Sequence, residues 1–321
     1  MIELSIVVPI YNEEAAIPIF LDAVRPVVEA ETSGFEVLFI DDGSSDGTAA
    51  AVLAAREADE RVRLLRLSRN FGKEAALTAG LDHAVGAAAI PMDVDLQDPP
   101  SALPEMIAKW RAGADVVLAR RRGRDGDGLA KRSSAVWYYR LIRVISGANI
   151  PENVGDFRLL DRKALDALAM FPERSRFMKG VFALLGFETA IVEFDRPARA
   201  TGEARQNWRR LLSLALEGVI SFSVAPLRIW TLIGLFVAAT AALYGIYIIL
   251  NTLLFGVEAA GFASIITVSL FMNGLVLIGL GVIGEYVSRI FTEVKRRPLY
   301  LVRESAGVSL RDRSEVEKRN P

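Results

Sequence analysis

Two hydrophobic rhythms divide the chain. From Leu4 to about Pro197, short apolar runs alternate with stretches whose apolar positions recur at helical spacing. Ser5–Pro9, Glu36–Ile40, Val62–Leu67, Ala88–Met92 and Asp115–Ala119 read as strands. Asn12–Glu29, Thr48–Asp59, Gly72–Val85 and Leu103–Ala112 read as helices. Strands that are apolar throughout and separated by helices predict an α/β, Rossmann-like fold whose mostly parallel sheet is covered on both faces. In such sheets ligands bind outside the carboxyl ends of the strands. Acidic, glycine-rich turns fall at those ends.

The second rhythm has no polar beat. Ile229–Val257 and Ala259–Gly284 are uncharged, with Glu258 the only charge between them. Each is long enough to cross roughly 30 Å of hydrocarbon. A pair of buried helices in a soluble protein is the alternative, and two such runs side by side speak against it. Arg205, Arg209, Arg210 and Arg228 precede the first run, Lys295, Arg296 and Arg297 follow the second, and the connection has no Lys or Arg. That asymmetry predicts a hairpin with both flanks, and so both termini, in the cytoplasm. The expected organisation is a sheet domain over 1–198, an interfacial amphipathic segment over 199–227, two transmembrane helices over 228–290 and a cytoplasmic tail over 291–321. After Pro298 the tail is charged and reads as flexible. Lys131–Ile145 and Asn207–Ser223 combine basic residues with an apolar or aromatic face. Each would settle at a bilayer surface or pack its apolar face on the sheet domain.

Composition agrees with a chain partly in lipid: 52% of its 321 residues are hydrophobic and the mean hydropathy is +0.30. A net charge of −1 gives no global field for nucleic acid. With no cysteine, disulfides, thiolate metal sites and a cysteine nucleophile are excluded. The start, MIELSIVVPIYNEE, lacks a basic region and cleavage site and is expected to be a first strand, not a signal peptide.

Candidate chemistry sits in the turns. Asp93-Val94-Asp95 ends an apolar strand and continues as Leu96-Gln97-Asp98-Pro99-Pro100. Two carboxylates spaced this way suit a hard divalent cation, Mg²⁺ or Mn²⁺, whose shell a diphosphate completes. Asp41-Asp42-Gly43-Ser44-Ser45-Asp46-Gly47-Thr48 ends the second strand. It is either an ordinary turn with a capped helix or a place where a carboxylate accepts hydrogen bonds from a base or ribose. Pro9-Ile10-Tyr11-Asn12-Glu13-Glu14 lies on the same edge, with Tyr11 either packed or laid against a base. His83, the only histidine, reads as a packing or surface residue.

In this order and spacing, V-V-P-x-Y-N-E-E, D-D-G-S-S-D-G-T and D-x-D-L-Q-D-P-P resemble the family 2 glycosyltransferases of the GT-A fold. Leu67–Leu81 (LSRNFGKEAALTAGL), Gly155–Asp161 (GDFRLLD) and Arg196–Trp230 resemble the polyisoprenyl-phosphate glycosyltransferases, and two C-terminal spans resemble the bactoprenol branch. The resemblance runs to about Tyr300. It implies that Pro9, Tyr11, Glu13 and Asp41 line the nucleotide base and that Asp93 faces ribose or metal. It implies Asp95 as a metal ligand with Gln97 nearby, and Asp156 beside the acceptor phosphate or sugar as base or orienting group. Arg199 and Arg205 match positions that clamp phosphate. Arg120, Arg121, Arg122, Lys131 and Arg132 form a basic set that either attracts the acceptor headgroup to the membrane surface or lies on a solvated loop. The family usually reads G-x-S-K where this chain has Gly202-Glu203-Ala204-Arg205, which keeps the charge but changes the contact geometry.

The implied reaction is inverting, metal-dependent transfer of a sugar from a UDP-hexose, UDP-glucose being the commonest donor of the branch, to polyisoprenyl (undecaprenyl) phosphate. It would take place at the cytoplasmic face of the bacterial inner membrane. An anionic phosphate nucleophile needs positioning and charge screening more than deprotonation. A homo-oligomer is expected, because two lone spans offer little surface for a self-contained membrane domain. A processive polysaccharide synthase is disfavoured, since Gln206-Asn207-Trp208-Arg209 does not match Q-x-x-R-W. A glycosyltransferase for another acceptor, or a membrane-tethered binding protein with an inactive site, are the remaining alternatives. The intact Asp93, Asp95, Gln97 and Asp156 set argues against inactivity.

Overall fold

The computed structural model of the chain describes residues 2–122, 154–171, 182, 186–195, 225–255 and 261–310. Both amphipathic segments, the Glu258 connection, Arg132, Arg199 and Arg205 lie outside them. The chain divides into two compact units, a sheet domain to which residues from 297 onward belong and a second unit holding the two long apolar helices.

The sheet domain contains strands β1 (Leu4–Ile10), β2 (Phe35–Asp41), β3 (Val62–Leu67), β4 (Ala88–Pro91), β5 (Val116–Arg121), β6 (Val154–Asp161), β7 (Thr189–Phe194) and β8 (Val302–Ala306). They form one eight-stranded sheet in the order β7-β5-β6-β4-β1-β2-β3-β8. β1 pairs in parallel with β2 and β4, β2 with β3, and β5 with β7. β6 runs antiparallel to both β4 and β5, and β8 antiparallel to β3. The parallel expectation therefore holds for the first half of the domain, while β6 reverses direction in the middle of the second.

Alternation along the strands fills two cores. On β1 and β2, Leu4, Ile6, Val8, Val37 and Phe39 face one side. There they meet α1 (Ala16–Glu31), α2 (Thr48–Ala58) and α4 (Leu103–Arg111) through Phe20, Val24, Val52 and Met106. Val7, Leu38 and Ile40 face the other side, under α3 (Lys73–His83) and α5 (Arg162–Ala169), meeting Leu77 and Leu165. Burying both faces is what demands strands apolar at successive positions. At Gly80 of α3 a β-carbon would run into Val7 and Ile40. Glycine there lets the helix lie directly on β1 and β2. His83 is buried, its Nδ1 2.9 Å from the Ala79 carbonyl and its ring edge-on to Tyr300, as a packing residue should be.

The segment after Pro298 differs from the flexible tail expected. Ser68 donates its amide to the Leu301 carbonyl at 2.8 Å, and Val302–Ala306 then adds β8 to the edge of β3. A five-residue strand reading Val-Arg-Glu-Ser-Ala carries no apolar run, and pairing to an exposed strand edge supplies its order instead.

In the second unit, α6 (Ala225–Phe255) and α7 (Phe262–Val294) are each longer than their uncharged cores. Ile229–Tyr247 and Phe271–Val294 are long and apolar enough to cross a membrane. Their large side chains are turned outward: Phe236 is 73% exposed and Leu253 77%. That surface suits hydrocarbon, not water. α7 continues ten residues past Gly284, where Arg289 reaches Glu285 one turn back at 3.3 Å. On the facing surfaces, the Trp230 indole occupies the space a β-carbon on Gly279 would need.

Candidate active site

The loops that follow β1, β2 and β4 meet at the carboxyl edge of the sheet. Residues 12–15, expected as the first turn of α1, form loop instead. Asn12 has φ +54, a left-handed conformation that asparagine tolerates, and its Oδ1 accepts the Ser45 amide at 2.9 Å. Its own amide donates to Ser44 Oγ, and that of Glu13 donates to Thr48 Oγ1, both at 2.9 Å. The β2–α2 turn is thus bound to the β1–α1 loop by side chains that could equally have been ordinary caps. Gly43 sits at φ +72, and a side chain there would collide with the backbone of Arg69 and Asn70.

These loops enclose an open cleft of about 340 Å³, lined among others by Pro9, Tyr11, Glu13, Lys73, Asp93 and Asp95. That is within the range of small-ligand sites. Tyr11 is 46% exposed, its ring free to lie against a flat ligand. Burial, with the charges of Asp95 and Asp46 next, pushes the Glu13 carboxyl above its usual range. Glu13 and Asp95 therefore crowd one corner with negative charge.

Asp41 is fully buried and does not line the cleft. It accepts the Ser44 amide at 2.8 Å and forms an ion pair, poorly aligned for a hydrogen bond, with Arg66 Nε at 3.1 Å. Its neighbour Asp42 does line it, and accepts the amides of Phe71 (2.7 Å) and Gly72 (2.8 Å). Burial raises the Asp42 carboxyl above its ordinary value in spite of those two bonds. Asp42 thereby fixes the turn that starts α3, and with it Lys73.

Lys73 is the residue to which no role was assigned from the sequence, although the LSRNFGKEAALTAGL segment containing it marked the resemblance. Its Nζ lies 2.5 and 2.8 Å from the two Asp93 oxygens and 3.5 Å from Asp156 Oδ2. Crowding works to lower the ammonium's pKa, but the charges of Asp93 and Asp156, the Asp93 hydrogen bond and Asp98 outweigh it and leave the pKa raised. Asp156 is carried to this point by β6, whose antiparallel path turns Gly155-Asp156 toward the cleft edge. Two residues along, Arg158 is buried under the Phe182 ring at 3.9 Å and donates to the Gly155 carbonyl at 2.6 Å. Burial pulls its guanidinium down to about 10, against the opposing pull of Asp156. Asp98 is buried too, and burial followed by the Asp93 charge lifts its carboxyl to about 6.

Several buried polar atoms here have no hydrogen-bond partner among the described residues: both side-chain ends of Gln97, Asp156 Oδ1 and Arg158 Nε. None of these residues lines the cleft itself, but Asp156 and Gln97 adjoin it through Lys73 (3.5 Å) and Asp95 (3.1 Å), and unsatisfied buried groups beside a cleft can serve a ligand. The donor set also fits a hard divalent cation. Among the described residues the Asp95 carboxylate accepts only the Gln97 amide, at 3.1 Å, and the Gln97 side-chain oxygen, without a partner there, is a further neutral donor two residues on. No group of three or more His, Cys, Asp or Glu among the described residues could cage a metal alone. A cation here would need further oxygens from its ligand, as Mg²⁺ and Mn²⁺ do with diphosphates.

Of the other expected site residues, Arg120 lies on β5 and is held by Glu193 of β7, its Nε 3.1 Å from the carboxylate. It does not line the cleft. The structure brings together Pro9, Tyr11, Glu13, Asp93 and Asp95, with Asp156 at their edge.

Residues 5–169 match the model of the glycosyl transferase family 2. The SfII prophage-derived bactoprenol glucosyl transferase of Shigella flexneri is 49% identical over 94% of this chain and 98% of its own. A prophage bactoprenol glucosyl transferase homolog of Escherichia coli K12 is 49% identical over the same shares. The YkcC glycosyltransferase of Bacillus subtilis is 38% identical over 96% of this chain and 95% of its own. With the family model spanning more than half of the sequence and relatives aligned almost end to end, the chain belongs to glycosyl transferase family 2.

Proposed function

We propose that this glycosyltransferase moves a hexosyl unit, with inversion, from UDP-glucose or a related UDP-hexose to polyisoprenyl (undecaprenyl) phosphate at the cytoplasmic face of the bacterial plasma membrane. The carrying observation is the juxtaposition of Asp95, Asp93, Lys73 and Asp156 at one cleft in a chain 49% identical to bactoprenol glucosyl transferases.

The acceptor phosphate oxygen forms a bond to the anomeric carbon as the bond to the nucleoside diphosphate breaks, so the diphosphate leaves with the electron pair. The nucleophile is already anionic, and Asp156 orients it or the sugar without taking a proton. Pro9, Tyr11, Glu13 and the Asp41–Asp42 turn form the nucleotide end, with Asp41 acting through the turn it stabilises. Asp95, with Asp93 and Gln97, would hold Mg²⁺ or Mn²⁺, which supplies Lewis-acid stabilisation of the leaving diphosphate. Arg132, Arg199 and Arg205 are proposed as acceptor-phosphate contacts, Arg120 contributing to the basic surface around them.

The membrane assignment rests on the exposed apolar α6 and α7 and on flanking arginines and lysines. The return of β8 to β3 supports it, because a chain that crosses the bilayer and then joins the same sheet must cross an even number of times. A homo-oligomer remains our expectation, since two lone spans offer little surface for a self-contained membrane domain.

Purified full-length protein, incubated with undecaprenyl phosphate, a panel of radiolabelled UDP-sugars and Mg²⁺ or Mn²⁺, tests the reading. Metal-dependent lipid product from one donor, lost in Asp95→Ala, supports it. Absence of lipid product from every donor overturns the acceptor assignment.

A further inference from the structure

We infer that Lys73 competes with the divalent cation for Asp93, so that the metal is taken up efficiently only together with the donor diphosphate, which draws the lysine away. The inference rests on the metal-dependent reading above and deepens it, assigning a task to a residue that the reading leaves without one.

Three observations carry it. First, Lys73 Nζ contacts both Asp93 oxygens, at 2.5 and 2.8 Å, and approaches Asp156 at 3.5 Å. An ammonium in that position holds the lone pairs a cation would use and cancels the negative charge that would attract it. Second, the remaining acidic donors do not suffice: no set of three His, Cys, Asp or Glu among the described residues can hold a metal unaided. With Asp93 engaged, Asp95 is the one carboxylate of the pair left to bind, a weak site until phosphate oxygens join it. Third, Lys73 has a fixed root and a movable head. Its backbone opens α3 and is anchored by the two bonds from Phe71 and Gly72 to Asp42, while its side chain is 48% exposed. Asn70, Gly72, Lys73 and Ala76 line the same cleft as Asp93 and Asp95. A diphosphate lying there is within the sweep of the lysine side chain.

The consequence is an order of binding. A nucleoside diphosphate re-pairs Lys73, frees Asp93 for the cation, and shares that cation's shell. Free metal does not occupy the site at the concentrations that suffice with nucleotide, and the leaving group meets both the metal and the lysine charge during transfer.

Mn²⁺ binding to the full-length protein in detergent, read by the loss of the free-ion electron paramagnetic resonance signal, tests this with UDP present and absent. For the wild type, UDP is expected to tighten Mn²⁺ binding strongly. In Lys73→Gln, Mn²⁺ binding without UDP should tighten by about tenfold, as an opposing charge is removed beside the ligand, and the UDP dependence should shrink. Lys73→Arg keeps the charge and should keep the wild-type dependence. Equal Mn²⁺ affinity without UDP in wild type and Lys73→Gln, with UDP-dependent binding intact in both, overturns the inference and leaves the metal-dependent reading standing. No Mn²⁺ binding to any of the three proteins even with UDP overturns that reading and the inference with it. Circular dichroism of the variants confirms that the comparison is between folded proteins.

Discussion

Tyr300 donates its hydroxyl to Asp82 on α3 at 2.9 Å, joining residues 218 positions apart and on opposite sides of the apolar hairpin in sequence. Together with β8 on β3, this bond draws the chain that leaves α7 back into the domain that precedes α6. If α6 and α7 cross a membrane, the two flanks of the hairpin must then share one side of it. The chain has no cysteine, so single cysteines report topology cleanly. In intact spheroplasts a membrane-impermeant maleimide should label Gly261→Cys and spare Ala50→Cys and Leu310→Cys. Labelling of Leu310→Cys but not Ala50→Cys would contradict the pairing.

The same edge should matter for stability. Tyr300→Phe removes one side-chain hydrogen bond and should cost about 1 kcal/mol in denaturant unfolding of the sheet domain. Removing the chain from Leu299 onward exposes the β3 edge and leaves Arg66 without Glu304, which lies 3.9 Å away. That truncation should cost several times more than Tyr300→Phe and promote aggregation, measured by size-exclusion chromatography.

What the sequence revealed and what it hid follow from the range of the forces involved. β1 to β5 are legible because burial of both faces imposes apolar residues along each strand. Asp93 and Asp95 are legible because turns at strand ends expose chemistry that packing does not explain. β6 is hidden because Gly155-Asp156-Phe157-Arg158 reads as a site, and its place between β4 and β5 depends on non-local pairing of Leu160 with Val116. β8 is polar and is ordered only by the edge it joins. Lys73 escaped because a lysine at the start of a helix is usually solvated, and only the fold brings it onto Asp93 from twenty residues away.

Gly80 is the point where α3 touches the sheet. Gly80→Ala places a methyl group against Val7 and Ile40, and overpacking of this kind costs about 1–3 kcal/mol. Because Lys73 opens the same helix, the variant should also weaken UDP binding, measured by calorimetry. Stability and affinity both unchanged would show that α3 can shift without consequence for the cleft.

The buried Asp98 carboxyl titrates at about 6 in the folded protein against 3.8 for an ordinary aspartate. Between those values the folded chain keeps a proton that the unfolded chain has lost, so the Asp98 contribution to stability falls as pH rises from about 4 to 6 and is constant above. Asp98→Asn removes that titration. Its stability relative to the wild type should rise across this window by at most about 3 kcal/mol. A difference between the two proteins that does not change with pH would place the Asp98 carboxyl in its ordinary range.

Asp156 is where the two readings of the chemistry part. A general base must titrate for activity to appear, whereas an orienting group need only be in place. The proposed acceptor is a phosphate whose last ionisation lies near pH 6, so at neutral pH it would attack without assistance. Asp156 lies 3.5 Å from the Lys73 ammonium and two residues from the buried Arg158, neighbours that can fix the direction of its carboxyl group. Asp156→Asn keeps the shape and hydrogen-bonding reach of the side chain. It should lower kcat by about ten- to a hundredfold while leaving the shape of the pH–rate profile as in the wild type. Asp95→Ala, by contrast, should lower turnover by a hundredfold or so and raise the metal concentration needed. Loss of the acidic limb of the profile in Asp156→Asn would assign proton transfer to this residue and overturn its orienting role.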